Sequence, residues 1–122
     1  MGHNLLTGFV PGELGQLDKI ESLFLQENQL TGPIPRGLGN AVTLRSLDVG
    51  ENRLTGRIPT ELGRLSALDR LDLEGNELMG AIPPQLGTLS RLELLDLSGN
   101  QLASSIPAAL GALTHLRELD LV

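Results

Sequence analysis

The side chains with the clearest chemical potential are aspartates that recur at a spacing of 24 residues: Asp48, Asp72, Asp96 and Asp120. A column of neighbouring carboxylates would attract a Lys- or Arg-bearing ligand or a divalent cation. Facing carboxylates also repel, and each then raises the pKa of its neighbour. The aspartates therefore indicate binding of a positively charged group, provided that the fold brings them together.

The other polar residues do not indicate catalysis. His3 and His115 lie far apart along the chain, and His115 is expected on the surface of a helical segment. The absence of cysteine excludes disulfides, thiol catalysis and Cys-based zinc sites in these residues. The glycines follow a regular spacing rather than a phosphate-binding motif. We predict no catalytic residues, no metal site and no cofactor.

The spacing of 24 extends to other residue types through the whole chain. Four columns show it: Pro11, Pro35, Pro59, Pro83 and Pro107; Leu14, Leu38, Leu62, Leu86 and Leu110; the glycine after each of these leucines; and Asn4, Asn28, Asn52, Asn76 and Asn100. Such a register predicts one array of about five 24-residue units over residues 1–122, a solenoid. Ala41 interrupts a leucine column and Ser104 a glycine column. Unless neighbours fill the space beside Ala41, its smaller side chain should cost on the order of 1–3 kcal/mol.

The unit pattern LxxLxLxxNxLTGxIPxxLGxLxx predicts the local elements. The L-x-L step, as in Leu71 and Leu73, has the period of a strand, and successive units make neighbouring strands parallel. At about 4.8 Å per strand, five strands form a sheet roughly 20 Å wide, with the aspartates in one column. The Leu-Gly-x-Leu segment predicts a short helical or 3₁₀ turn after the proline. Asparagine side chains should form a buried hydrogen-bonded ladder where the chain turns: Asn28, Asn52, Asn76 and Asn100.

This pattern resembles the leucine-rich repeats, and its L-x-G-x-I-P segment resembles the plant-type class. The resemblance covers nearly the whole chain. It implies an α/β repeat fold: a right-handed curved solenoid with a parallel concave β-sheet and short 3₁₀ or helical convex segments. It also implies a second short strand on the flank, around G-x-I-P. No polar or Cys-rich end cap is recognisable, and stacked repeats need caps, so we expect a piece of a longer array or end-to-end association of two chains.

Recognition should fall on the concave positions that the repeat leaves free. The outward side chains are Ser22, Phe24 and Gln26; Ser46, Asp48 and Gly50; Arg70, Asp72 and Glu74; Leu94, Asp96 and Ser98; and Glu118 and Asp120. The residues predicted to contact a ligand are Phe24, Asp48, Arg70, Asp72, Glu74, Leu94, Asp96 and Asp120. Three alternatives remain open at this point. The aspartates either bind a ligand or are simply residues that are common at this position of the repeat class. Arg70 is either a counter-charge for Asp72 or a ligand contact. Phe24 either anchors a ligand or packs against a preceding unit. Phe9 is expected to make a contact on the flank.

Composition limits the partners. The net charge of −6 argues against nucleic acid and favours a protein or peptide partner, including a basic one. No apolar run is long enough to insert into a membrane. The resemblance implies a non-enzymatic module that binds protein or peptide through the concave face, as in receptor-type or inhibitor-type relatives. The alternative is a scaffolding segment of a larger signalling protein, such as a repeat-containing kinase or GTPase.

The cellular compartment of the chain depends on which of these two functions it has. A receptor ectodomain would place the chain at the cell surface, and an intracellular signalling protein would place it in the cytoplasm. The absence of both cysteine and an Asn-x-Ser/Thr sequon gives a slight preference for the cytoplasm.

Overall fold

A computed structural model describes residues 4–103 and 105–122 of the chain. Two sets of short strands alternate along it with 3₁₀ helices. The first set comprises β2 (Ser22–Phe24), β4 (Ser46–Asp48), β6 (Arg70–Asp72), β8 (Leu94–Asp96) and β10 (Glu118–Asp120). These strands form one parallel five-stranded sheet in the order β10-β8-β6-β4-β2. Register advances by one repeat per strand, so that Leu47 pairs with Leu71 and Leu71 with Leu95. The sheet therefore brings equivalent residues of successive units side by side, as the sequence predicts.

The second set of strands lies on the flank, in a three-stranded and a two-stranded parallel sheet. Its members are β1 (Thr7–Phe9), β3 (Gln29–Pro33), β5 (Arg53–Thr55), β7 (Met79–Gly80) and β9 (Gln101–Leu102). These strands lie at or just before the predicted G-x-I-P segment: β1, β3 and β7 contain its glycine, and β3 ends at Pro33, before Ile34. The reason is that Ile34 turns into the core, where it is 3% exposed, and the following Pro35 has no N–H to continue a ladder.

A 3₁₀ helix follows each repeated proline. The five helices are η1 (Gly12–Gln16), η2 (Arg36–Asn40), η3 (Thr60–Arg64), η4 (Pro84–Thr88) and η5 (Ala108–Ala112). The preceding prolines are extended, with φ between −74° and −62°, which their rings favour. Each helix ends where the N–H of the following residue bonds the carbonyl three residues back. This residue is a leucine in four units, as Leu65 bonding Leu62, and Ala41 in the other. The predicted 3₁₀ turns are confirmed.

One continuous hydrophobic core fills the space between the sheets and the 3₁₀ helices. Its members run from Val10 to Leu113. Ala41 is buried at 1% exposure, like Leu65 and Leu89 in its column. The expected cost of its smaller side chain stays a prediction, and Ser104 lies outside the described residues, as does His3. No helix among the described residues is long and apolar enough to cross a bilayer.

Candidate functional site: the concave face

The outward side chains of the five-stranded sheet form the surface that we call the concave face. Alternation along each strand decides which residues these are, because Leu47, Leu71 and Leu95 point inward and are fully buried. Their neighbours in sequence therefore point outward. The sheet thus brings together all eight residues predicted to contact a ligand, in two adjacent columns and the turn beside them.

The aspartate column differs from the expected open row of carboxylates. Asp48 and Asp72 are only 6% and 7% exposed. One oxygen of each carboxylate turns back and accepts the backbone N–H two residues on, at 3.0 Å from Gly50 and 3.1 Å from Glu74. Asp96 does the same with Ser98, whose hydroxyl also donates to it at 2.6 Å. These carboxylates satisfy the backbone where each strand ends, so their recurrence has a structural cause in this chain.

Arg70 neutralises two members of this column. Its Nη2 lies 3.2 Å from Oδ2 of Asp48 and 3.4 Å from Oδ2 of Asp72. The Arg70 side chain is 42% exposed, whereas the two aspartate side chains are below 10%. Burial raises the pKa of the Asp72 carboxyl above its ordinary value, and the charges of Asp48 and Asp96 add to the rise. Hydrogen bonds from Glu74 N–H and Arg70 oppose it. Arg70 is thus an internal counter-charge in this face.

Glu74 folds back over Gly50 in the neighbouring unit. A Cβ at position 50 would lie 3.1 Å from Cγ of Glu74 and 3.2 Å from Oδ1 of Asp48. The pKa of Glu74 is raised from 4.5 to about 7, with burial as the largest cause. The charges of Asp72, Asp96 and Glu51 add to this rise, as does a hydrogen bond with the Asp96 carboxyl. The absence of a side chain at Gly50 therefore leaves room for a carboxyl group that titrates near neutral pH.

Replacing Glu74 with glutamine should stabilise the fold at pH 8 more than at pH 5, by about 1 kcal/mol after allowance for partial exposure. The sign follows from the raised pKa. Below pH 4.5, the ordinary pKa of the group, Glu74 is protonated in both the folded and the unfolded chain. Between pH 4.5 and about 7 the unfolded chain loses this proton first, and that lowers the stability of the wild-type fold. Urea denaturation of both proteins at the two pH values measures the difference. An equal gain at pH 5 and pH 8 would show that the proton is not involved.

Two apolar side chains complete the concave face. Phe24 on β2 is 55% exposed, and Leu94 on β8 is partly buried. Phe9, by contrast, lies on the flank, where a Cβ at Gly32 would be 2.7 Å from its ring. Phe9 therefore covers the next unit on the flank, as expected. Phe24 is the concave residue with the largest exposed apolar surface.

The asparagine column lies where the chain turns: Asn52 and Asn76 are buried, at 8% and 6% exposure, and Asn28 and Asn100 are partly buried. Each Oδ1 accepts a leucine N–H from the unit before, as Asn52 does from Leu30 at 3.0 Å and Asn76 does from Leu54 at 2.9 Å. Each Nδ2 donates to carbonyl oxygens at the end of the strand in its own unit. Asn28 and Asn100 make the equivalent bonds. The four side chains form the ladder that their spacing predicts.

Carboxyl oxygens of Asp72, Glu74 and Asp96 lie within 4.8 Å of one another. This spacing raises the question of whether the three residues could bind a cation. The donor set fits a hard cation poorly. Asp72 already binds Glu74 N–H and Arg70. The other two carboxyl groups offer at most four oxygens, fewer than the six to eight that Ca²⁺ takes. His115 is remote from this group. It lies in the turn after η5 rather than in a helix, with Nδ1 3.0 Å from the Ser90 carbonyl oxygen.

Sequence reasoning missed Gly50 as a position where neighbouring side chains of the concave face approach closely. The signal was available, because the equivalent positions in the next two units hold Glu74 and Ser98. A glycine between larger side chains on a face marks a place where a neighbouring group approaches closely. Its effect on Glu74 depends on the direction in which that side chain turns, which the sequence does not contain.

The leucine-rich repeat profile matches four stretches of the chain, residues 19–41, 43–65, 67–89 and 91–113. This chain belongs to the leucine-rich repeat family. A search of curated protein sequences found no match. Among solved structures, this leucine-rich repeat chain is similar to the Arabidopsis receptor kinase HAESA in complex with the peptide hormone IDA and the co-receptor SERK1. The sequence identity is 40% and the TM-score is 0.95, and the match covers 100% of this chain and 21% of that one.

Two further structures show how much the same repeats vary in use. One is the plant peptide hormone receptor RGFR1 in complex with RGF2, with 41% identity and a TM-score of 0.91 over 93% of this chain and 18% of that one. The other is a plant ice-binding protein, with 35% identity and a TM-score of 0.86 over 93% of this chain and 37% of that one. The chain thus spans about one fifth of each receptor. These similarities establish the plant-type solenoid, and function has to be argued from the face itself.

Proposed function

We propose that this chain is a non-enzymatic recognition segment of a receptor-type leucine-rich repeat array, which binds a basic peptide or protein through the concave face. The observation that carries the proposal is the pair Glu74 and Asp96, two partly exposed carboxyl groups without a cationic partner among the described residues. Exposed Phe24 lies on the same face and offers an apolar contact. Aromatic side chains of this kind are frequent anchors in protein interfaces.

The comparisons support this proposal over a purely scaffolding role. HAESA and RGFR1 are both described in complex with a peptide hormone or ligand, and their repeats are the most similar in identity to those of this chain among the structures compared above. By the same likeness, we propose that the chain acts on the extracellular side of the cell. This runs against the slight preference for the cytoplasm drawn from its lack of cysteines and sequons.

Removing the two unpaired carboxylates should weaken binding of a basic peptide about fivefold at pH 8 and low salt. The variant is Asp96→Asn with Glu74→Gln. The asparagine keeps the oxygen that accepts Ser98 N–H, so the fold should survive. The probe is an acetylated, amidated pentapeptide with one arginine, followed by backbone amide NMR shifts, and a glutamate version of the peptide should not bind.

A matched control separates this site from general electrostatics. The double variant Asp18→Asn with Glu61→Gln removes two carboxylates that lie outside the five-stranded sheet. Neither residue makes an ion pair in the described part of the chain. It should leave the affinity almost unchanged. If the arginine peptide moves no amide on the concave face at millimolar concentration, the scaffolding alternative is favoured instead.

A further inference from the structure

We propose that Arg70 divides the concave face into an apolar part and a cation-binding part, and so selects a peptide whose apolar and basic side chains are about four residues apart. The inference rests on the proposed function, because it places a peptide on this face. The inference adds the chemical class of the peptide, and it names Arg70 as the residue that selects this class.

Arg70 closes the middle of the face to a cationic ligand. Both Oδ2 atoms within its reach, those of Asp48 and Asp72, lie within 3.4 Å of its Nη2. The Oδ1 atoms of the same two residues accept backbone N–H groups. Neither carboxylate therefore keeps a free oxygen, and the guanidinium itself repels an approaching Lys or Arg side chain. A ligand cation is excluded from β4 and the adjoining half of β6.

The side of the face toward β8 remains open to a cation. In the described parts of the chain, no Lys, Arg or His nitrogen lies within 4.0 Å of a carboxylate oxygen of Glu74 or Asp96. Asp96 uses Oδ1 for both bonds from Ser98. Its Oδ2 and the Glu74 carboxyl have no cationic partner, and the hydrogen bond between the two carboxyl groups is lost when Glu74 ionises. Three acidic groups act on Glu74: Asp72 on β6, Asp96 on β8 and Glu51 in the turn after β4. A positive group bound beside Glu74 would reduce their mutual repulsion.

The side toward β2 is uncharged and carries one exposed apolar side chain. Phe24 is exposed there, and Ser22 and Ser46 pair beside it in the sheet. Three strand spacings separate β2 from β8 in the sheet order, or about 14 Å at 4.8 Å each. An extended peptide advances about 3.3 Å per residue. A peptide crossing the strands with its apolar group on Phe24 would therefore place its basic group at Asp96 about four residues further on.

Two isomeric probes test this spacing. The first is Ac-Phe-Ser-Gly-Ser-Arg-NH₂, with its aromatic and basic residues four apart, and the second is Ac-Ser-Gly-Ser-Phe-Arg-NH₂, with the two adjacent. Their composition and charge are identical. NMR titration of the whole chain at pH 8 should give at least about threefold tighter binding of the first probe, with shifts near both Phe24 and Asp96. Equal affinities would overturn the inference.

Variants of Arg70 test the cause. Arg70→Gln frees Asp48 and Asp72 beside Phe24, so the adjacent isomer should gain affinity and the preference should disappear. Arg70→Lys retains the charge and should keep the preference. Arg64→Gln makes the same change in net charge away from the sheet, at a residue without an ion pair among those described, and should also keep it. A preference unaltered in a folded Arg70→Gln protein would overturn the role of Arg70.

A second measurement covers the case in which Arg70→Gln does not fold. Asp96→Asn in the wild-type background should remove the advantage of the spaced probe, and a persisting advantage would contradict the proposed position of the cation. Failure of the proposed function looks different, because neither probe would then shift any amide of the concave face.

Discussion

Replacing Asn76 with alanine is expected to lower the free energy of unfolding by about 3 kcal/mol. The wild-type amide makes four hydrogen bonds: its oxygen accepts Leu54 N–H, and its nitrogen lies 3.1–3.2 Å from the carbonyl oxygens of Val49, Leu73 and Glu74. These carbonyl groups have second donors, since Asn52 also bonds Val49, Asn100 bonds Leu73 and Glu51 N–H bonds Glu74. The buried Leu54 N–H would be left without a partner, and that is the larger part of the cost.

Chemical denaturation followed by circular dichroism measures the loss, and hydrogen exchange locates it. The Leu54 amide should exchange much faster in Asn76→Ala, because its acceptor is gone. The matched control is Asn40→Ala, an exposed asparagine at the end of η2, which should change stability by less than about 0.5 kcal/mol. Equal effects at the two positions would contradict a structural role for the ladder.

Replacing Gly63 with alanine is expected to cost about 2–3 kcal/mol, because successive 3₁₀ helices approach each other too closely for a methyl group. A Cβ on Gly63 would lie 2.5 Å from the carbonyl oxygen of Gln85 in the next unit. That atom belongs to the backbone of η4 and cannot rotate away. The helices η3 and η4 would have to separate, which would open the core between them.

The chain contains its own control in the same glycine column, two units further on. A Cβ on Gly111 would meet nothing within 4 Å. Gly111→Ala should therefore be neutral or slightly stabilising, since alanine restricts the unfolded chain more than glycine does. Thermal or chemical midpoints of the two variants give the comparison. If Gly111→Ala destabilised as much as Gly63→Ala, the cause would be backbone conformation rather than the close approach of helices.

The asparagine ladder is a feature that the sequence alone determines, whereas the close approach of the helices at Gly63 is seen only in the folded stack. A residue that recurs every 24 positions meets its own equivalents in the neighbouring units, so one unit specifies the environment of the next. The parallel sheet, the 3₁₀ turns after each proline and the asparagine ladder all follow from this rule. The flank strands near G-x-I-P follow from it too, although their lengths differ between units, from two residues in β7 and β9 to five in β3.

The positions that do not repeat were decided by tertiary structure. The sequence placed Asp48, Asp72, Asp96 and Asp120 in one column, but it could not show that Asp48 and Asp72 turn back onto the backbone and are almost buried. It also placed Arg70 beside Asp72, whereas the fold makes Arg70 bridge two units. The physical reason is that the charge open to a ligand depends on side-chain direction and on neighbours 22 to 24 residues away. Only the folded stack combines Gly50, Glu74 and Asp96 into one group, and this group decides where a ligand's positive charge can bind.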